Sequence, residues 1–308
     1  MSVEKLVVVL RKTRLEEAIK RFNTRSQARF YVESRGLSFS DFELEHDNYQ
    51  SAKEKLLSEI PRDYKVQLVD REFLPNFLFA EKDLIITLGQ DGLVVNTAKY
   101  LDGQVIVAVN PDPERFDGIL LPWLPSNVNL ALSAIEKENY KSRQVTMAEA
   151  RLNDGQKLYA FNDFFIGVND HTSARYSIEF AGRNERQSSC GILVSTPAGS
   201  TGWMSSVYNM ARGIAQAEGA GAGPEPEALQ WEDEKLIFMV REPFRSRWSQ
   251  ADLVTGVIDT DEALKVESLM PEKGVIFSDG VLADFLSFNS GTVAEIGIAS
   301  KRTHLVVP

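Results

Sequence analysis

The feature that most constrains the fold is a set of short apolar runs in the first 140 residues, separated by segments with helical spacing. Residues 6–10, 83–88 and 104–110 are rich in aliphatic side chains, and residues 65–70 predict a further strand. Strands that are apolar throughout are typical of parallel sheets with both faces covered. The segment 92–101, between two of these runs, favours a helix, and Ser40 with Glu43 predicts a capping box before a further helical segment. This part of the chain therefore predicts an α/β domain with a parallel sheet.

From about Gln144 onward the pattern changes to short alternating segments separated by turn signals. Asn153, Asp154 and Gly155 form a strong hairpin signal between two such segments. One helix, at about 202–217, interrupts a series of strands that is typical of an antiparallel β domain.

The chain length of 308 residues predicts two domains, at about 150 residues for each. We place the boundary so that residues 1–125 form the α/β domain and residues 126–308 form the β-rich domain. The last strand either stays in the second domain or returns to the first.

Composition excludes several classes of protein. Asp and Glu number 44 against 34 for Lys and Arg, and the net charge of −10 argues against broad nucleic-acid binding or a basic membrane surface. Cys190 is the one cysteine, so no internal disulfide can form and a reducing cytoplasm fits best. No apolar run approaches the roughly 18 residues of a membrane helix, and residues 6–10 are too short for a signal peptide. We expect a mature, cytoplasmic chain that binds neither nucleic acid nor membranes.

The first segment suited to chemistry follows the predicted strand 83–88. Gly89 and Gly92 would let the backbone approach a phosphate, and the start of the next helix offers unpaired N–H groups to an anion. Because Asp91 would repel a phosphate, it suits proton acceptance from a hydroxyl or contact with a phosphate-bound Mg²⁺. The alternative is that Asp91 only caps the helix and that the glycines serve a tight turn.

Two further segments lie in the β-rich part. Residues 195–203, Ser-Thr-Pro-Ala-Gly-Ser-Thr-Gly-Trp, place small and hydroxyl side chains before a helix, which suits a ribose or a phosphate but also an ordinary strand–turn–helix corner. Asn162 and Asp163 interrupt an apolar run. An amide can pair with an adenine edge and a carboxylate can accept from ribose hydroxyls, although a β-bulge or turn is the more frequent explanation of such a pair taken alone.

In order and spacing, the three segments resemble those of the NAD kinase family. That family carries a Gly-Gly-Asp-Gly-Thr loop, an Asn-Glu pair and a Thr-Pro-Thr-Gly-Ser-Thr-Ala-Tyr signature. The segments 110–115, 241–243 and 277–280 resemble its mitochondrial-type branch, so that the resemblance covers nearly the whole chain.

The resemblance implies a Rossmann-like parallel α/β domain followed by a β-rich domain, a NAD kinase-like fold. It implies transfer of the γ-phosphoryl of ATP to the 2′-hydroxyl of the adenosine ribose of NAD, with Mg²⁺ held mainly through the donor phosphates. Asp91 would be the general base. The phosphate contacts would fall on Gly89, Gln90, Gly92 and Leu93. The NAD contacts would fall on Asn162, Asp163, Thr196, Gly199, Ser200, Thr201, Gly202, Trp203 and Ser206. The family also suggests a homodimer or a higher homo-oligomer.

Several positions depart from the family pattern. Gln90 replaces a glycine of the phosphate loop and Leu93 replaces its threonine, whereas Asp163 and Trp203 replace the Glu and Tyr of the other segments. The nucleotide signature is therefore better preserved than the phosphate loop. Two alternatives stay open: a kinase of another hydroxyl substrate, such as a sugar or a lipid, and a catalytically weak sensor of NAD or NADP. The phosphoryl donor is either ATP or polyphosphate.

Overall fold

A computed structural model describes residues 3–221, 223, 225 and 228–308. The chain divides into two compact units. Unit 1 consists of Met1–Arg143 and His304–Pro308, and unit 2 consists of Gln144–Thr303. The change of pattern that the sequence shows at Gln144 coincides with this division, whereas the predicted boundary at 125/126 precedes the last helix of unit 1.

Unit 1 is built on a parallel sheet in the order β2-β1-β3-β4, to which the end of the last strand, β16, adds by pairing with β4. Its elements in chain order are β1 (Lys5–Leu10), α1 (Arg14–Phe22), α2 (Arg25–Glu33), α3 (Phe39–Glu59), β2 (Val66–Asp70), a 3-10 helix (Arg71–Asn76), β3 (Asp83–Leu88), α4 (Asp91–Ala98), β4 (Val105–Val109) and α5 (Val128–Glu136). Every residue of β3 and β4 is buried, as the apolar runs predict for strands covered on both faces.

Threonine side chains cap the first two helices of unit 1, Thr13 at α1 and Thr24 at α2. Thr13 caps α1, and a reciprocal bond between Glu16 and the Thr13 backbone completes a capping box. The sequence also suggests a capping box at Ser40 and Glu43, and this prediction is wrong. Helix α3 already begins at Phe39, and the Glu43 carboxylate pairs with arginines of α2 instead.

Unit 2 consists of two antiparallel layers. One has the order β12-β11-β10-β7-β14-β15, and the other contains β8, β9, β13, β5, β6 and most of β16. The bounds are β5 (Lys141–Leu152), β6 (Lys157–Ala160), β7 (Asp163–Val168), β8 (Ala174–Phe180), β9 (Arg183–Ser189), β10 (Gly191–Ser195), α6 (Trp203–Ala217), β11 (Leu236–Arg241), β12 (Thr255–Ile258), β13 (Leu264–Ser268), β14 (Gly274–Ser278), β15 (Val281–Ser287) and β16 (Val293–Val307). A common core contains buried side chains of both layers, among them Phe164, Tyr176 and Phe238.

Helix α6 packs on the other face of the first layer. Met204 of the helix is buried with Leu193 of β10 and Ile237 of β11. Consecutive strand residues point to opposite faces of a sheet, so each of these strands faces the common core with one set of side chains and α6 with the other. Within the described residues, no helix is long and apolar enough to cross a bilayer.

Candidate active site

The loop between β3 and α4 lies at the carboxyl edge of the parallel sheet in unit 1. Gln90 occupies the N-cap position without a side-chain cap bond, and Asp91 is the first residue of the helix. The helix start leaves backbone N–H groups unpaired, while the N–H of Leu93 already bonds the Gln90 carbonyl. Gly92 is exposed and has open space where a side chain would lie. This geometry can receive an anion.

Asp91 also holds a neighbouring segment of unit 1 in place. Its Oδ1 accepts a hydrogen bond from the backbone N–H of Leu120, at 2.9 Å, which ties the segment after β4 to the loop. Its Oδ2 makes no hydrogen bond among the described residues. One oxygen is therefore structural, and the other is available to accept a proton or to approach a metal ion carried by phosphates. The predicted catalytic role of Asp91 stays a prediction, and the helix cap falls on Gln90 instead.

Leu93 is buried, at 3% exposure, and packs over the loop. A Cβ added at Gly89 would lie only 2.7 Å from a terminal methyl of Leu93, so a larger residue at Gly89 would make the Leu93 side chain shift. The Leu93 side chain thus faces the interior of unit 1, and its predicted phosphate contact stays a prediction. Gln90 is exposed, and its amide makes no hydrogen bond among the described residues.

In unit 2 the structure brings the Asn-Asp pair together with the start of the 195–203 segment. Thr196 donates its backbone N–H to the Asn162 carbonyl at 2.9 Å, and its hydroxyl contacts the Phe161 carbonyl at 2.5 Å. A Cβ on Gly199 would lie 2.0 Å from the Asn162 carbonyl oxygen. The two segments therefore touch through backbone, and only glycine fits at the point of contact.

Asp279 fixes the same turn from a third direction. Its carboxylate accepts backbone N–H bonds from Phe161, Asn162 and Asp163, at 2.7–3.2 Å. The side-chain amide of Asn162 is half-buried and makes no hydrogen bond among the described residues. The turn is thus held by its backbone, which leaves the amide available to a ligand.

The Asp163 side chain is buried at this turn, close to the Asp279 carboxylate. Burial of the carboxyl, together with the charge of Asp279, raises the pKa of Asp163 to about 7. Asp163 is therefore partly protonated near neutral pH and can donate a hydrogen bond as well as accept one. Sequence reasoning did not assign a role to Asp279. The Asp279-Gly280 pair between β14 and β15 is a turn signal, but only the fold shows which backbone it caps.

The rest of the signature forms the turn into α6. Ser200 donates its hydroxyl to the Pro197 carbonyl, at 2.7 Å. Thr201, Gly202 and Ser206 are exposed. The predicted nucleotide contacts of these residues stay predictions.

Trp203 is held by packing inside unit 2. Its ring stacks on Phe165 with the planes 10° apart, and the Arg241 guanidinium lies over it at 5.2 Å from the ring centre. Phe165 is held in turn by Gly167 and Gly191, where added Cβ atoms would come within 2.6–2.8 Å of its ring. Trp203 therefore lacks the hydroxyl of the tyrosine in the family signature, and its indole packs inside unit 2. Its predicted contact with NAD stays a prediction.

The chain matches no protein-family model. It is 25% identical over 222 residues to a probable NADH kinase from Oryza sativa subsp. japonica, covering 64% of this chain and 63% of that protein. It is 28% identical over 207 residues to an NAD kinase from Heliobacterium modesticaldum, covering 65% of this chain and 69% of that protein. The match to the rice protein thus spans somewhat less than two thirds of its length.

Two solved structures share the fold. Yeast NADH kinase complexed with NADH matches 100% of this chain and 84% of its own, with a TM-score of 0.58 at 15% identity. An NAD kinase from Archaeoglobus fulgidus in complex with ATP matches 97% of this chain and 92% of its own, with a TM-score of 0.53 at 19% identity. The predicted fold class, an α/β part with a parallel sheet followed by a β-rich part, is confirmed.

Proposed function

Since the chain belongs to the NAD kinase family, we propose that it transfers the γ-phosphoryl group of ATP to the 2′-hydroxyl of the adenosine ribose of NAD, giving NADP and ADP. The matching relatives and structures are kinases of NAD or NADH, and one structure holds ATP. The observation that carries the proposal is the turn at Asn162 and Asp163. Three backbone N–H groups and the contact with Gly199 hold it, which leaves the Asn162 amide without a partner among the described residues.

In the proposed reaction, each loop has one task. The unit 2 turn binds the adenosine half of NAD: the Asn162 amide pairs with the adenine, and Asp163 contacts a ribose hydroxyl. Residues 196–206 complete that pocket. The unit 1 loop binds the donor phosphates through Gly89, Gln90 and Gly92 and the N–H groups that begin α4.

Asp91 acts as general base. Its Oδ2 takes the proton of the 2′-hydroxyl while that oxygen attacks the γ-phosphorus, and the bond from phosphorus to the β,γ-bridging oxygen breaks to release ADP. Mg²⁺ would be held mainly by the donor phosphates and would neutralise their charge, so that the free oxygen of Asp91 is left to accept the proton. The bond from Leu120 keeps the carboxylate in a fixed place.

Assembly and compartment belong to the same proposal. We propose a cytoplasmic homodimer or higher homo-oligomer. Strands β12 and β15 are the edges of one layer of unit 2, and they carry half-exposed apolar side chains, Val257 on β12 and Leu282 and Phe285 on β15. Such edges favour pairing with another chain. Sedimentation velocity of the purified chain tests the assembly, and a monomer at micromolar concentration would contradict it.

A coupled assay tests the function. The purified chain is incubated with MgATP and either NAD or NADH, and the phosphorylated product is followed through an NADP-specific dehydrogenase. Asn162→Ala is expected to raise the KM for NAD by about 5- to 150-fold, the value of a lost hydrogen bond to a ligand, and to leave the KM for ATP unchanged. Asn169→Ala, at an exposed position of unit 2, is the matched control.

The outcomes separate the candidate functions. Turnover with the expected change in the KM for NAD supports the kinase. Binding of NAD without turnover supports the sensor, for which the replacement of a loop glycine by Gln90 is the specific observation. If NAD is neither bound nor phosphorylated, both the NAD kinase and the sensor are contradicted. A kinase of another hydroxyl substrate then remains.

A further inference from the structure

Unit 1 contains a cavity of about 220 Å³ that no part of the proposed mechanism uses. It lies at the carboxyl end of β1 and is lined by Arg11, Lys12, Glu16, Tyr49, Lys53 and Asp70, among others. The residues come from the end of β1, the first helix, the middle of α3 and the end of β2.

This place in the sheet is the topological switch point. The strand order β2-β1-β3-β4 puts β2 on one side of β1, and puts β3 and then β4 on the other side. In open α/β sheets, ligands bind in the crevice that this reversal opens at the carboxyl ends of the strands.

Tyr49 joins the cavity to the candidate phosphate loop. Its hydroxyl donates to the carbonyl of Leu88, the last residue of β3, and accepts the backbone N–H of Arg11, at 3.0 and 3.1 Å. Burial raises the pKa of Tyr49 to about 12, so the hydroxyl keeps its proton and both bonds persist at neutral pH. The wall of the cavity is therefore bonded directly to the residue that precedes Gly89.

The carboxylates of the cavity are already engaged. Glu16 accepts from the Thr13 backbone through one oxygen and from the Gln50 amide through the other. Asp70 accepts from the Glu72 backbone N–H. These bonds reduce the capacity of both groups to bind a cationic ligand.

Positive charge is in excess around the cavity. Arg11 and Arg14 share one carboxylate, Glu45. Lys12 and Lys20 likewise share Glu72. In a chain with a net charge of −10, this is a local reversal of sign.

Lys53 is the side chain that most directly indicates a ligand. It lies on α3, is half-buried at the cavity, and forms neither an ion pair nor a hydrogen bond among the described residues. An ammonium with three unused donors at a cavity favours an anion with several acceptor oxygens.

We propose that this cavity, with Lys53 as its direct contact, binds a phosphate group of the phosphoryl donor. The inference rests on the proposed function, because it places the donor next to the loop that carries Asp91. Lys53 would bond the phosphate oxygens, while the Arg11 and Lys12 side chains, held by their carboxylates, would add to the positive potential. The ligand group is a di- or triphosphate, which both ATP and inorganic polyphosphate contain.

The test measures binding without turnover. Equilibrium dialysis compares MgATP, inorganic tripolyphosphate and adenosine on the wild type, on Lys53→Gln and on Lys55→Gln. Lys55 lies on the same helix, is exposed and pairs with Glu59, so its substitution removes the same charge away from the cavity. Lys53→Gln is expected to weaken MgATP and tripolyphosphate about ten-fold or more, the value of a charge-assisted hydrogen bond, and to leave adenosine unchanged. Lys55→Gln stays within two-fold, and thermal melts of both variants check folding.

Each outcome bears on one proposal. If Lys53→Gln binds both phosphate ligands as well as the wild type does while the wild type turns over, the cavity proposal is overturned and the kinase stands. If binding depends on Lys53 but no acceptor is phosphorylated, the cavity proposal stands and the kinase fails. A loss for MgATP alone assigns the site to the nucleotide donor, and a loss for both assigns it to the phosphate chain. If Lys55→Gln weakens phosphate binding as much as Lys53→Gln does, the effect comes from the overall charge of the protein, and the cavity proposal is overturned.

Discussion

Gly199 of unit 2 lies against the backbone of Asn162, whereas Gly92 of unit 1 faces open space. Around the first glycine, protein groups already satisfy one another: Thr196 bonds two carbonyls of the turn, and Asp279 accepts three of its N–H groups. Around Gly92, N–H groups at the start of α4 have no partner within the helix. The turn at Asn162 and Asp163 is thus preorganised by internal contacts, while the loop between β3 and α4 has open space that a ligand can occupy.

This difference bears on Gln90, one of the departures from the family pattern in the unit 1 loop. A residue that packs against protein is constrained by the fold, as Gly199 is. A residue that faces an empty site is constrained only by the ligand, so Gln90 can replace a glycine without an internal clash. The remaining constraint on Gln90 is whether the donor phosphates tolerate its side chain.

The largest expected effect is that of Asp91→Asn. The asparagine keeps an oxygen that can accept the Leu120 N–H bond, so folding should be nearly unchanged. It loses the basic oxygen, and kcat is expected to fall by about 10² to 10⁴-fold. Steady-state kinetics with saturating NAD measures this, with a thermal melt as the folding control. Activity within a few-fold of the wild type would assign Asp91 to structure alone.

Gly199→Ala tests the packed side of the comparison. Its Cβ would lie 2.0 Å from the Asn162 carbonyl oxygen, and this clash can be relieved only if the backbone of the turn moves. We expect a loss of about 3 kcal/mol in the free energy of unfolding, together with weaker NAD binding. Urea denaturation measures the first and isothermal calorimetry the second.

Gly92→Ala is the matched substitution on the open side. No heavy atom lies within 4 Å of the added Cβ, so the free energy of unfolding should stay the same or rise. If donor phosphates approach the backbone there, the KM for the donor rises although the protein is no less stable. An unchanged donor KM would place the phosphates elsewhere.

Asp163→Asn should change how stability depends on pH. The pKa of Asp163 is raised to about 7, above its value in the unfolded chain, so the folded state binds the proton more tightly. The wild type therefore loses stability from this group as the pH rises from about 4 to about 7. Asparagine has no such dependence, and its advantage over the wild type should grow by about 2 to 3 kcal/mol between pH 5 and pH 8.

Urea denaturation at the two pH values measures this difference. Asp154→Asn is a suitable control, because backbone and side-chain bonds from Gln156 lower the pKa of the exposed Asp154 carboxyl. Its loss of stability should be equal at pH 5 and pH 8. A constant effect of Asp163→Asn across the same interval would show that Asp163 ionises normally in the folded protein.

The sequence predicts regular elements better than it predicts side-chain partners. The run 83–88 coincides with β3, and the run 6–10 with β1 apart from its first residue, because short runs rich in β-branched residues favour strands over helices. The role of Asp279 depends on a partner more than 110 positions away in the chain, and the role of Tyr49 on strands that only the fold places beside it. The false capping box at Ser40 failed for the same reason: Glu43 found partners on α2.

Gln90→Gly has the smallest expected effect, and it decides between two accounts of the unit 1 loop. In one, the side chain obstructs the phosphates, and glycine should raise kcat by letting the backbone N–H groups approach charge that develops in the transition state. In the other, the amide is itself a phosphate contact, and glycine should lower activity. Gln90 is exposed, caps nothing with its side chain and makes no hydrogen bond among the described residues, so its two N–H donors are available.

We therefore expect a loss, and Leu93→Thr serves as its counterpart in the same loop. Because the Leu93 side chain is buried over Gly89, threonine there should lower stability by removing packed atoms rather than improve catalysis. Single and double substitutions are compared at saturating NAD with varied MgATP. A loss for Gln90→Gly means an active enzyme whose loop uses the Gln90 side chain as a phosphate contact. A gain of about ten-fold, roughly 1.4 kcal/mol of barrier, would mean that the natural loop is catalytically compromised and would favour the sensor.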